Sequence, residues 1–150
     1  MELEIINNRV VTKHDANIIN VKKRNKSYLL LYKIFCSPPK YLDDQIEGVI
    51  EIPKRVLGQG EFFALIANGD SMVDAGIKEG DIVIVRAQNT AENGNIVAVR
   101  IGEEVTLKRY YELRKEKKYL LHPENKKQTD IITAECDIMG IAIKIIKDLV

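Results

Sequence analysis

Ile82-Val83-Ile84-Val85 and Ile96-Val97-Ala98-Val99-Arg100-Ile101 are the runs whose reading decides the fold. Both are short and rich in β-branched residues, with Gly80 and Gly94 before them and Gly102 after the second. Branching at Cβ suits a pleated strand and costs rotamer freedom in a helix. Apolarity that is continuous rather than alternating predicts strands covered on both faces, inside a compact coiled sheet. Working outward, Val49-Ile50-Glu51-Ile52 and Phe62-Phe63-Ala64-Leu65-Ile66 have the same character, and Gly58, Gly60, Gly69 and Gly76 punctuate the stretches between. Tyr110-Tyr111 and Tyr119-Leu120-Leu121 flank a charged tip from Arg114 to Lys118, which reads as a hairpin. In the last apolar stretch, Ile138 to Ile146, Gly140 marks a bulge or a close backbone approach. The expected fold is mainly β.

The chain of 150 residues is long enough for one domain with a real core, and a hydrophobic fraction of 45% excludes wholesale disorder. With 23 basic and 22 acidic side chains the net charge is +1, which argues against a dedicated nucleic-acid binder. Cys36 and Cys136 make no disulfide framework, and no secretory signal is expected at the start. No apolar run approaches the roughly 20 residues that span a bilayer. A soluble, reducing, cytoplasmic setting is expected.

Three parts are expected along the chain. Residues 1–33 form an N-terminal arm, in which Lys22, Lys23, Arg24 and Lys26 make a basic cluster. Its bland reading is a solvated arm, and the sharper one a phosphate-contacting arm. Residues 34–48 read as a loop, since Ser37-Pro38-Pro39 stops regular structure and Asp43-Asp44-Gln45 is polar. Residues 49–150 carry the strands.

Within that last part, Asn68-Gly69-Asp70-Ser71-Met72 reads as a tight turn presenting a hydroxyl, and Glu104-Val105-Thr106-Leu107-Lys108-Arg109 as a strand carrying an amine. A serine hydroxyl becomes a good nucleophile when a base removes its proton, and an unprotonated lysine can be that base. Gly69 gives the turn the freedom to aim successive N–H groups at one point, as a developing oxyanion requires. The bland alternatives are an ordinary Asn-Gly-Asp-Ser turn and a solvated strand lysine. Alternation with Val105 and Leu107 puts Lys108 on the opposite face from both, so catalysis requires that this face be enclosed. An exposed lysine stays protonated up to about pH 10, whereas general-base lysines work near about 7–8. A cavity lined by Met72, Val73 and neighbouring strands would supply the desolvation.

Rival chemistries find less support. His14 and His122 are the only histidines, and His122 opens the turn His122-Pro123-Glu124-Asn125 rather than a catalytic triad. The histidines and cysteines lack metal-ligand spacing, so no metal and no cofactor is expected. No Gly-rich phosphate loop is present in the sequence. Cys36 has no nearby base and reads as a structural thiol.

The order of motifs resembles the LexA/UmuD-type self-cleaving serine peptidases, a family that includes phage repressors. The resemblance runs from about Lys33 to the C-terminus. It is carried by Gly69-Asp70-Ser71-Met72, Asp74, Gly76-Ile77, Gly80-Asp81, Asn93-Gly94-Asn95-Ile96-Val97-Ala98-Val99, Glu104 to Arg109, Leu121 to Asn125 and Gly140. It implies a LexA/signal-peptidase-like coiled sheet with Ser71 as nucleophile, Lys108 as general base, and the backbone N–H groups of Asp70 and Ser71 as the oxyanion site. The substrate would be the protein's own loop. Ile46-Glu47-Gly48 resembles the segment downstream of the scissile bond, which places that bond at Cys36-Ser37. The family breaks Ala-Gly or Cys-Gly bonds, so Cys36 fits and Ser37 departs. Residues 1–33 show no pair of amphipathic helices of the helix-turn-helix kind. The short arm therefore resembles the polymerase-accessory UmuD branch, with a LexA-like repressor as the alternative. Both branches imply a homodimer stimulated by RecA filaments after DNA damage; a DNA polymerase or DNA is the further partner, and no membrane is involved.

Overall fold

The computed structural model describes residues 3–6, 9–12, 26–33, 46–102 and 104–149. Strands β1 (Leu3–Ile6) and β2 (Arg9–Thr12) pair antiparallel with each other. Nine further strands among the described residues form one sheet. They are β3 (Lys26–Lys33), β4 (Ile46–Pro53), β5 (Phe62–Ile66), β6 (Ile82–Ala87), β7 (Ile96–Ile101), β8 (Glu104–Leu113), β9 (Lys118–His122), β10 (Ile131–Thr133) and β11 (Asp137–Ile146). A single helical turn, α1 (Lys54–Leu57), follows β4. The fold is mainly β, as expected.

The sheet order is β10-β9-β8-β7-β11-β6-β5-β3-β4. Only β3 and β5 run parallel among these neighbours; the other pairings are antiparallel. The last strand in sequence is inserted at the middle, pairing with β7 through Asp137–Ile141 and with β6 through Gly140–Ile146. The two ladders overlap at Gly140 and Ile141, and the register with β7 shifts just before Gly140. A Cβ there would collide with the Arg86 carbonyl oxygen and the Val85 side chain. The bulge and the close approach expected at this glycine therefore coincide.

The runs Val83-Ile84-Val85 and Val97-Ala98-Val99 are at most 1% exposed, so consecutive residues are buried on both faces. Complete burial of each such aliphatic side chain contributes about 1.5–3 kcal/mol, which makes these two strands the anchor of the body. Leu65, Ala67, Met72, Ile77, Val83, Val85, Ala98 and Leu107 form one core cluster. Leu29, Ile52, Leu57, Ala64 and Ile84 form a second. The sheet takes in β3, which lies in the stretch read from sequence as the arm, and Leu29 of that strand is 1% exposed. Ile46-Glu47-Gly48, read as the end of the loop, opens β4. The rest of the expected loop, residues 34–45, lies outside the described residues, as does most of the basic cluster.

Candidate active site

Ser71 follows Gly69, whose φ of 80° lies in the left-handed region open to glycine. The chain then winds into one 3-10 turn, Val73–Ala75, closed by Gly76 in the left-handed conformation. The Met72 carbonyl accepts from the N–H groups of Ala75 (3.1 Å) and Ile77 (3.2 Å), which fixes the curl after the serine. Met72 itself is 3% exposed in the first core cluster. The residue after the nucleophile candidate thus points inward and holds the turn to the body.

Lys108 is 7% exposed, although lysine is almost never buried without a partner. Its Nζ lies 3.4 Å from Ser71 Oγ, 2.7 Å from Thr106 Oγ1 and 3.1 Å from the Leu107 carbonyl oxygen. The face of β8 opposite Leu107 is therefore enclosed, with Tyr110 on the same face 5% exposed. The bland reading of a solvated strand lysine is overturned. Two residues 37 apart in sequence meet side chain to side chain.

Asn68, Gly69 and Ser71 from the turn and Thr106 and Leu107 from β8 line one cleft. Its apolar lining is completed by Ala67, Met72 and Ile77. Val73, expected among the lining residues, is instead 37% exposed and does not line the cleft. The 3-10 curl rotates its side chain away from the sheet, whereas Ile77, beyond the turn, packs inward.

A second segment straps the serine turn. Asp74 N–H donates to the Glu124 carbonyl at 2.7 Å, and Lys126 N–H donates to the Asp74 carboxylate at 3.2 Å. Asn125 Nδ2 donates to the Asp70 carbonyl at 2.9 Å, and Gln128 Nε2 to the Asp70 carboxylate at 3.0 Å. Among the described residues no acceptor is bonded to the backbone N–H of Asp70 or Ser71. From β11's end, Lys147 Nζ donates to the Gly76 carbonyl at 2.7 Å and to the Asp81 carboxylate. That hydrogen bond, with the Lys78 N–H, holds the Asp81 carboxyl below the usual carboxylate range. Burial pushes the Tyr110 phenol and the Cys136 thiol up, so both are neutral near pH 7.

The structure brings Ser71 and Lys108 together, and leaves Cys36 and Ser37 outside the described residues. His122 pairs with Asp130 at 2.5 Å, and no group of three metal-binding side chains occurs among the described residues. Sequence reasoning assigned no role to Thr106, Asn125 or Gln128. Thr106 was within reach, because period-two spacing puts it on the face of Lys108. Asn125 and Gln128 act across 55 and 58 residues, and no local signal announces that.

A mainly antiparallel sheet thus brings a buried lysine amine beside the hydroxyl of a turn-borne serine. The chain belongs to the Peptidase S24-like family, a serine peptidase family, which it matches over residues 29–143. It is 40% identical over 119 residues to a LexA repressor of Caldicellulosiruptor saccharolyticus, covering 79% of this chain and 57% of that protein. A LexA repressor of Pelotomaculum thermopropionicum is 36% identical, with 80% of this chain and 58% of that protein covered. The LexA repressor of Shouchella clausii is 36% identical over 132 residues, 86% of this chain and 62% of that protein. The chain thus spans a little over half the length of these relatives. Their names favour the repressor branch, which the sequence reading placed second, over the polymerase-accessory branch it placed first. Among the described residues no helix is long and apolar enough to cross a membrane.

Proposed function

We propose that this chain is a self-cleaving peptidase of the LexA type, acting as a cytoplasmic switch in the response to DNA damage. The observation that carries the reading is the buried Lys108 Nζ lying 3.4 Å from Ser71 Oγ. Burial disfavours the ammonium form, and Thr106 Oγ1 and the Leu107 carbonyl hold the nitrogen in place once the proton is gone. The free amine takes the proton of Ser71, whose oxygen attacks the carbonyl carbon of Cys36. Charge gathers on that carbonyl oxygen, and the N–H groups of Asp70 and Ser71 receive it. Collapse breaks the Cys36–Ser37 bond, Lys108 returns its proton to the leaving amine of Ser37, and water then hydrolyses the acyl-serine.

Because the substrate is part of the same chain, tethering replaces a binding step and raises the effective concentration. A second copy of the chain and a RecA-type filament are the partners of this switch; the filament accelerates cleavage by favouring the docked loop. The LexA names of the relatives support control of DNA as the output, with the self-cleaving domain as the sensor.

Intact-mass analysis of the chain incubated at alkaline pH, with and without activated RecA, tests the reading. The expected result is two fragments with a boundary after Cys36, absent from Ser71→Ala and Lys108→Ala. Cleavage of either variant at the parent's rate sinks the dyad, as does a parent that stays whole under both conditions.

A further inference from the structure

The cleft accounts for Ser71 and Lys108, but the strap on the serine turn has no part in that chemistry as described. Its central member is Asn125, a polar side chain 9% exposed. Its amide orientation is fixed from both ends: Lys127 N–H donates to Oδ1 at 3.0 Å, and Nδ2 donates to the Asp70 carbonyl at 2.9 Å. Val73 N–H donates to the same carbonyl at 3.2 Å, so both lone-pair directions of that oxygen are occupied.

That carbonyl belongs to the Asp70–Ser71 peptide unit. The unit is trans and planar, so its N–H points opposite to its C=O. Fixing the Asp70 oxygen toward Asn125 therefore fixes the Ser71 N–H away from Asn125. This is the same N–H that has no acceptor among the described residues, and it belongs to a residue lining the cleft.

We infer that Asn125 is a positioning residue of the self-cleavage reaction: its side-chain amide locks the Asp70–Ser71 peptide so that the Ser71 N–H serves as a standing oxyanion donor. The inference rests on the serine–lysine reading above. Asn125 touches neither the reacting atoms nor Lys108; it acts through one peptide plane. An oxyanion donor is effective when it is aligned before the charge develops, because turning it during the reaction costs activation energy.

The test follows the rate of self-cleavage across alkaline pH in the full chain and in Asn125→Ala and Asn125→Asp, with urea unfolding of each. Asn125→Asp keeps the volume and replaces the donor by an acceptor, so it separates the hydrogen bond from the packing. The expected result is a plateau rate lowered about 10- to 100-fold in both variants, since loss of a whole oxyanion donor costs roughly 100- to 1000-fold. The pH midpoint of Asn125→Ala is expected to match the parent's, because that substitution adds no charge near Lys108. Asn125→Asp that folds and cleaves at the parent's plateau overturns the inference. So does a loss that only tracks the unfolded fraction, or one that appears in Asn125→Ala as a displaced midpoint. If the parent and Ser71→Ala behave alike, the dyad itself is wrong and the positioning role goes with it; if only the Asn125 variants match the parent, the dyad stands and the positioning role alone fails.

Discussion

Met72 and Leu107 are packed in one core cluster, and each is the chain neighbour of one member of the Ser71–Lys108 pair. Met72 is 3% exposed beside Ser71, and Leu107 is 4% exposed beside Lys108. The distance between hydroxyl and amine is thus set by how two apolar side chains fill a shared space. Interiors are packed as densely as organic crystals, so a change of volume there is felt by the atoms attached to it.

The first prediction concerns that packing. Met72→Ala and Leu107→Ala are each expected to destabilise the fold by about 2–5 kcal/mol, the range for truncating a buried large aliphatic side chain. Self-cleavage should fall further than the unfolded fraction explains, because the 3.4 Å approach of Lys108 Nζ to Ser71 Oγ loosens. Urea unfolding and fragment formation, measured on the same samples, give the two numbers to compare.

Thr106 supports the amine directly. Thr106→Val is nearly isosteric and removes the 2.7 Å contact to Lys108 Nζ. Cleavage of the parent is expected to rise with pH as Lys108 gives up its proton, and the valine variant to cleave with a displaced pH profile. A variant profile that overlays the parent's would show that the threonine hydroxyl does not hold the base.

The clamp between Asp81 and Lys147 predicts an acid sensitivity. The Asp81 carboxyl is held below its ordinary value of 3.8 in the folded protein, first by the Lys147 hydrogen bond and then by the Lys78 N–H. Such a group adds stability that is fully present above the unfolded value and disappears as pH falls through the folded one. Melting temperature should therefore decline below about pH 4 in the parent more steeply than in Asp81→Asn. At neutral pH, Lys147→Met is expected to cost no more than about 1 kcal/mol, because the lysine is 36% exposed and solvent screens the pair.

Gly140 is the position least able to accept a side chain. A Cβ would meet backbone of the neighbouring strand, which cannot swing aside as a flexible side-chain tip would. Gly140→Ala should destabilise by at least about 1–3 kcal/mol, the usual cost of overpacking, and thermal unfolding would register it. An unchanged melting temperature would mean that β11 and β6 can separate locally at no cost.

Residue order alone determined the strands around Ile82 and Ile96 and the hairpin with its charged tip, while Ser71 and Lys108 stood out from their bland readings through the order of motifs around them. Those features are written in local chemistry: β-branching, glycine at turns, and apolar runs of strand length. The extent of the body at its N-terminal side was not legible, because β3 is ordinary in composition and becomes part of the sheet through pairing with β4 and β5. The enclosure of Lys108 was equally hidden. Alternation says which face a side chain takes, but only the arrival of a turn 37 residues earlier decides whether that face meets water. The strap from Glu124 to Gln128 and the clamp of Lys147 on Gly76 and Asp81 belong to the same class. Each joins groups 50 or more residues apart, and such contacts exist only after chain closure has brought the partners together.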